Sequence, residues 1–225
     1  KGIVPPVATP FTESHEIDIP SLERLIDFQI DAGVHGLFML GSTSETATLT
    51  FAKRVQILET AARKAKGRVP LMAGTMDMAT ERVIEHARAA KDAGMDGLVV
   101  TAPYYIRPSQ SEIIEHFRAI REAVGLPIVA YDIPGAVQTK LTRETVWTLA
   151  DERTIVGIKD SSGDFGYFTR LTRLAARTKP FTVLTGSDSL LAASLFVGGH
   201  GLIGAGVNVL PEVAVALYQA FRAGN

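Results

Sequence analysis

Short apolar runs alternate with longer amphipathic stretches along the chain, and this alternation limits its possible folds more than any single motif does. Gly36 to Leu40, Val69 to Ala73, Leu98 to Thr101, Ile128 to Tyr131 and Ile155 to Ile158 have no helical period. They read as strands buried on both faces, which parallel sheets require. Ile3 to Ala8, Phe181 to Thr185 and Leu202 to Ala205 bring the set to eight, and most are followed by a helix-like stretch of about 10 to 15 residues. Eight strand–helix units in 225 residues predict an α/β fold, a closed (β/α)8 TIM barrel formed as one domain over 1–225, with a helix near Pro211 to Arg222 closing the last unit. An open doubly wound sheet has less support. No GxGxxG follows the first strand, where Pro5, Pro6, Thr9 and Pro10 stand instead.

A weak internal repeat agrees with that count. Asp31-Ala32-Gly33-Val34-His35-Gly36-Leu37 resembles Asp92-Ala93-Gly94-Met95-Asp96-Gly97-Leu98, and Gly198-Gly199-His200-Gly201-Leu202 echoes the end of both. The first glycine can stop a helix in the left-handed conformation and the second opens the next strand, so the repeated unit is a helix-to-strand junction. Leu190 to Leu210 contains no Asp, Glu, Lys or Arg over a length that could cross a bilayer. Its central glycines would interrupt a spanning helix, so it reads as a buried helix, a turn and a buried strand.

Twenty-three Lys and Arg stand against 24 Asp and Glu, a balance too even to capture nucleic acid or an anionic membrane by charge. The expected partner is a small molecule. Arg63 to Arg68 is basic but falls at a helix end, where cations complement the helix dipole. The absence of cysteine removes thiolate nucleophiles, CxxC redox chemistry and cysteine-bound zinc, and leaves a cytoplasmic location as the default. No signal peptide is visible, and the missing initiator Met leads us to expect that the chain is trimmed at the front.

In (β/α)8 barrels the chemistry lies at the carboxyl ends of the strands. Those positions are loaded here: Gly41-Ser42-Thr43-Ser44-Glu45 after strand two, Thr101-Ala102-Pro103-Tyr104-Tyr105 after strand four, Tyr131-Asp132-Ile133-Pro134 after strand five, Lys159-Asp160-Ser161-Ser162-Gly163 after strand six, and Gly186-Ser187-Asp188-Ser189 after strand seven. Lys159 is the most informative. It closes the apolar run Thr154-Ile155-Val156-Gly157-Ile158, whereas Lys53, Lys64, Lys66 and Lys91 fall on polar helix faces and Lys140 and Lys179 in loops. An amine attacks a carbonyl only when neutral, and at a pKa near 10.4 only roughly one lysine in a few thousand is free at pH 7. Desolvation at a barrel mouth lowers that pKa. Tyr131, on the neighbouring strand, can give and accept a proton. The Gly41 to Glu45 turn offers hydroxyls and backbone N–H groups to an anion such as a carboxylate. Together these three elements describe recognition of a 2-keto acid.

The motifs Pro10-Phe11-Thr12, Gly41 to Glu45, Tyr104 to Gln110, Tyr131 to Pro134 and Gly157 to Ser161 resemble, in order and spacing, those of the dihydrodipicolinate synthase and N-acetylneuraminate lyase family of Schiff-base-forming (class I) barrel enzymes. The resemblance implies that Lys159 forms the imine, that Tyr131 shuttles protons, and that Thr43 connects Tyr131 to Tyr105. It also implies that Ser42 and Thr43 hold the substrate carboxylate, that the backbone of Ile203 lines the pocket, and that Gly186 and Asp188 contact the hydroxyls of a sugar acid. It implies no cofactor beyond the covalent lysine imine, no metal, and a homotetramer in which Tyr105 reaches a neighbouring subunit's site. Ala136 stands where synthases carry a carboxylate-gripping arginine, and Ser44 replaces a usual glycine. Asp132 and Gly135 depart from the commonest synthase pattern. Family members carry further helices after the barrel, so the chain is expected to be incomplete at its C-terminus.

The expected activity is that of a lyase or aldolase acting on pyruvate or another 2-keto acid. Retro-aldol cleavage comes first, with dehydration of a 2-keto-3-deoxy sugar acid or condensation as alternatives. Condensation of pyruvate with aspartate semialdehyde, the synthase reaction proper, remains a further alternative. Three rivals lie outside this class. A metal-dependent aldolase needs converging ligands, but His35 and His200 precede strands, His86 and His116 lie within helices, and His15 is in the first loop. A sugar-phosphate isomerase would use the glycines near Gly186 and Gly204. A non-catalytic keto-acid sensor would need Ser42 and Thr43 but neither Lys159 nor Tyr131.

Overall fold

The computed structural model describes residues 1–177 and 180–224, so the expectation for Lys179 lies outside the described residues. The order is β1 (Gly2–Ile3), α1 (Ile19–Asp31), β2 (Leu37–Met39), α2 (Phe51–Ala65), β3 (Leu71–Gly74), α3 (Thr80–Asp92), β4 (Gly97–Thr101) and α4 (Gln110–Val124). It continues with β5 (Ile128–Asp132), α5 (Pro134–Val137), α6 (Arg143–Asp151), β6 (Gly157–Asp160), α7 (Phe165–Ala175), β7 (Thr182–Thr185), α8 (Leu191–Phe196), β8 (Gly201–Leu202) and α9 (Pro211–Ala223). All strand pairs are parallel, in the order β1-β8-β7-β6-β5-β4-β3-β2. A parallel bridge between Pro6 and Phe38, with Phe38 N–H donating to the Pro5 carbonyl at 2.9 Å, joins the two ends of the order. The sheet is a (β/α)8 barrel.

The strands separate two apolar clusters by their period of two. Leu37 and Met39, Leu98 and Val100, Ile128 and Ala130, Ile158 and Val183 face outward and pack with the helices. Phe38, Val99, Val129, Tyr131 and Leu184 face inward with Val4 and Ile203 and fill the barrel. Burying each large side chain contributes about 1.5 to 3 kcal/mol.

The repeated junction behaves as expected. Gly33, Gly94 and Gly198 have φ of 86°, 84° and 92°, stopping their helices in the left-handed region. The second glycine lets strands approach, since a Cβ on Gly201 would lie 2.0 Å from the Gly2 carbonyl oxygen. Helix starts also follow local chemistry: Asp18, Thr50, Ser109 and Asp164 each accept a hydrogen bond from a first-turn N–H. The basic run at the end of α2 pairs with α1, through Arg63 to Glu23 at 2.8 Å and Lys64 to Asp27 at 2.5 Å.

Two expectations shift. β6 begins at Gly157 rather than Ile155, because the N–H groups of Thr154 and Ile155 both donate to the Leu149 carbonyl and wrap the end of α6. β6 ends at Asp160, one residue beyond Lys159. Trp147 is 41% exposed although its sequence neighbours Val146 and Leu149 are in the core, where the sequence alone would also place it. Val146, Leu149 and Ala150 form the buried stripe of α6, and Trp147 lies about 100° round the helix from it. Leu190 to Leu210 folds as α8, a turn and β8, and no helix among the described residues is long and apolar enough to cross a membrane.

Candidate active site

Tyr131 and Lys159 are register partners on β5 and β6, and both point into the barrel. Lys159 is 4% exposed, with its Nζ 4.0 Å from the centroid of the Tyr131 ring and 5.3 Å from that of Phe38. Phe38 stands edge-on to Tyr131, with centroids 6.5 Å apart. Burial in this aromatic corner lowers the Lys159 pKa below the ordinary lysine value, while Tyr131 and the more distant Asp188 carboxylate pull the other way. The neutral amine that carbonyl attack requires is favoured by position alone.

The loop after β2 begins with Leu40 in the left-handed region, at φ 59°. Its carbonyl oxygen would lie 2.1 Å from a Cβ on Gly74, so the glycine ending β3 admits this turn. Ser42, Thr43 and Ser44 then form a single 3-10 turn. Ser44 is buried beneath it: its Oγ donates to the Val7 carbonyl at 2.5 Å and accepts from Gly41 N–H at 3.1 Å, and its carbonyl accepts from Thr9 Oγ1 at 2.9 Å. The unusual serine thus staples the turn to Val7 and Thr9 in the segment that follows β1. Ser42 is exposed and Thr43 half-buried at the mouth. Among the described residues no hydrogen bond links Thr43 to Tyr131 or Tyr105.

Tyr105 is 87% exposed and has φ of 77°, next to Ile106 at 78% exposed. Holding a non-glycine residue in that region costs about 1 to 3 kcal/mol. Ile203 is buried in the inner cluster and its N–H donates to the Thr185 carbonyl at 2.8 Å.

Two cavities open at this end of the barrel. One, of about 520 Å³, lies beyond β6 and β7 and is lined by Ser161, Asp164, Ser187, Asp188 and Ser189 together with the apolar Phe165, Phe168 and Leu190. Gly186 sets its floor, since a Cβ there would lie 1.8 Å from Ser161 Oγ and 3.2 Å from Lys159 Cε. Asp188 is exposed at its rim, where its carboxylate accepts from Gly206 N–H at 3.3 Å. The other cavity, of about 290 Å³, is lined by Ser42, Met76, Thr101, Tyr104, Ile133 and Ala136 among others, with no lysine or arginine in its wall.

Sequence reasoning gave no role to Phe38, to Ser161 within its strand-end segment, or to the Asp132 and Asp160 pair behind the site. The Phe38 signal was available in the period of two, which turns it inward between Leu37 and Met39. Ser161 carried none, because its role depends on Gly186 from another strand.

The family model of the dihydrodipicolinate synthetase family matches residues 1–225. The 4-hydroxy-tetrahydrodipicolinate synthase of Methanospirillum hungatei is 37% identical, aligned over all of this chain and 77% of its own length. That of Methanoculleus marisnigri is 40% identical with the same coverage. Among solved structures, YagE, a prophage protein of the dihydrodipicolinic acid synthase family from E. coli K12 in complex with pyruvate, is 39% identical and superposes with a TM-score of 0.96 over 99% of this chain and 76% of its own. The chain belongs to the dihydrodipicolinate synthetase family, whose barrel and inward-facing lysine define Schiff-base-forming lyases.

Proposed function

We propose that Lys159 forms an imine with the C2 ketone of a 2-keto-3-deoxy sugar acid and cleaves it to pyruvate and an aldehyde. The observation that carries this reading is the buried Lys159 amine held 4.0 Å from the Tyr131 ring. The neutral amine adds to the carbonyl, and the carbinolamine loses water to give a protonated imine. That cation accepts the electron pair of the C3–C4 bond as it breaks, while the C4 hydroxyl loses its proton and becomes the aldehyde. The resulting enamine takes a proton at C3, and water releases pyruvate and restores the amine. Tyr131 moves the protons, and Ser42 and Thr43 hold the carboxylate. In this reading Thr43 links Tyr131 to Tyr105 in the working assembly, and the lysine imine is the only electron sink, with no cofactor.

The choice of cleavage rests on the two cavities. The larger one, with Gly186, Ser187, Asp188 and Ser189, suits the hydroxyls of a sugar acid, with the Ile203 backbone beside it. The other has Ala136 and no cation in its wall, so it offers no counter-charge to the carboxylate of aspartate semialdehyde. YagE, a related structure in complex with pyruvate, supports a 2-keto acid as substrate. A cytoplasmic homotetramer belongs to the same reading, because an exposed Tyr105 in a costly backbone conformation fits insertion into a neighbouring copy.

Borohydride reduction in the presence of pyruvate, followed by peptide mass mapping, tests the proposal. The expected adduct is on Lys159, and Lys159→Met abolishes it. A panel of 2-keto-3-deoxy acids, with pyruvate release as readout, tests the substrate class. An unmodified Lys159 peptide in a chain that consumes a substrate of that panel overturns the mechanism.

A further inference from the structure

Asp132 follows Tyr131 on β5 and Asp160 follows Lys159 on β6, so both side chains turn to the outer face of the sheet. They are register partners, which places two carboxylates side by side behind the two residues that meet inside the barrel. The Asp132 side chain has no exposure and Asp160 is 5% exposed. Burial raises both carboxyls above the ordinary range, and Asp132 adds to the rise at Asp160. Such a pair needs a counter-charge.

Lys140 supplies it. Its Nζ donates to Asp132 Oδ2 at 2.7 Å and lies 3.6 Å above the centroid of the Tyr167 ring on α7. The Tyr167 hydroxyl donates to the Leu141 carbonyl at 2.6 Å, and Leu141 N–H donates back to Asp132 Oδ1 at 3.0 Å. The result is a closed circuit of Asp132, Lys140, Tyr167 and Leu141. It ties the end of β5 to α7, the helix that follows the Lys159 strand. The Asp132 carbonyl also accepts from Ser161 N–H at 2.8 Å, two residues beyond Lys159. The other charged groups acting on this circuit are Asp160 from β6, Glu144 from α6 and Arg170 from α7.

We propose that Lys140 is a positioning residue for the imine chemistry: by anchoring the Asp132 carboxylate behind the sheet, it fixes how Tyr131 and Lys159 face each other within it. The inference rests on the proposed function, since it concerns the rate at which Lys159 captures a keto acid.

The test measures borohydride trapping at Lys159 as a function of pyruvate concentration. Lys140→Met is expected to lower the saturating rate roughly tenfold, the scale on which one member of a buried charge network couples to its partners, and to leave the half-saturating pyruvate concentration within about twofold. Lys140→Arg restores most of the rate. Asp132→Asn removes the need for a counter-charge, so Lys140→Met placed in that background is silent; this comparison holds even if Lys140→Met alone does not fold. A wild-type rate in Lys140→Met, or an undiminished loss in the Asp132→Asn background, overturns the inference and leaves the Lys159 mechanism standing. Failure of the wild-type chain to trap pyruvate overturns both.

Discussion

Lys159 shows how a single residue reports its role through its surroundings. A cation closing an apolar run was legible in the sequence because hydrophobic strands rarely admit one without a task. The nearness of Tyr131 was expected from neighbouring strands, and the structure adds the register and the face-on approach at 4.0 Å. Tyr131→Phe is expected to cut turnover about 10²- to 10⁴-fold, the usual contribution of a positioned proton donor, with little change in pyruvate affinity measured by calorimetry. The pH response follows from the lowered Lys159 pKa. Burial penalises the ammonium, so the free-amine fraction rises at a lower pH than for an exposed lysine. The trapping rate should climb with pH and level off below about 10.4; a rate still rising beyond that value would mean an unperturbed amine. Asp132, Asp160 and Lys140 were not legible as a unit, because the alternation along a strand gives the side each aspartate takes but not the loop lysine that reaches it.

At the scale of elements, the eight strands and the helix-to-strand junctions could be read from apolar runs and glycine pairs. The start of β6 could not, since Ile155 is as apolar as the strand it precedes and only its bond to Leu149 marks it as the end of the helix. Trp147 shows a related limit, as its neighbours in the sequence are core residues but its angle round α6 is not theirs. His116 binds two elements together, with its Nδ1 2.9 Å from Thr80 Oγ1, joining α4 to the start of α3. Burial lowers its pKa from 6.5 to about 4, so the folded state binds this proton less readily than the unfolded chain does. The stability it contributes is fully present above pH 6.5 and is lost as pH falls toward 4, by up to about 3 kcal/mol. Thermal melts of wild type and His116→Gln across that window should show the steeper decline in wild type.

Across the whole molecule, Tyr105 makes the expected assembly testable. Sedimentation equilibrium should give the mass of four chains, and Tyr105→Ala should reduce turnover while leaving the Lys159 adduct obtainable. A monomer with undiminished turnover would remove Tyr105 from the mechanism. The sequence by itself determined the strand count, the barrel, and the placing of Lys159, Tyr131 and the Ser42 turn at one end, because periodicity and turn chemistry are local properties that each segment carries alone. Only the tertiary structure decided that Ser44 pins the turn to the segment after β1, that Gly186 makes room for Ser161, and that Lys140 stands behind Tyr131. Each of these depends on which distant segments the closing barrel brings within a few ångströms of one another, and no local pattern encodes that distance.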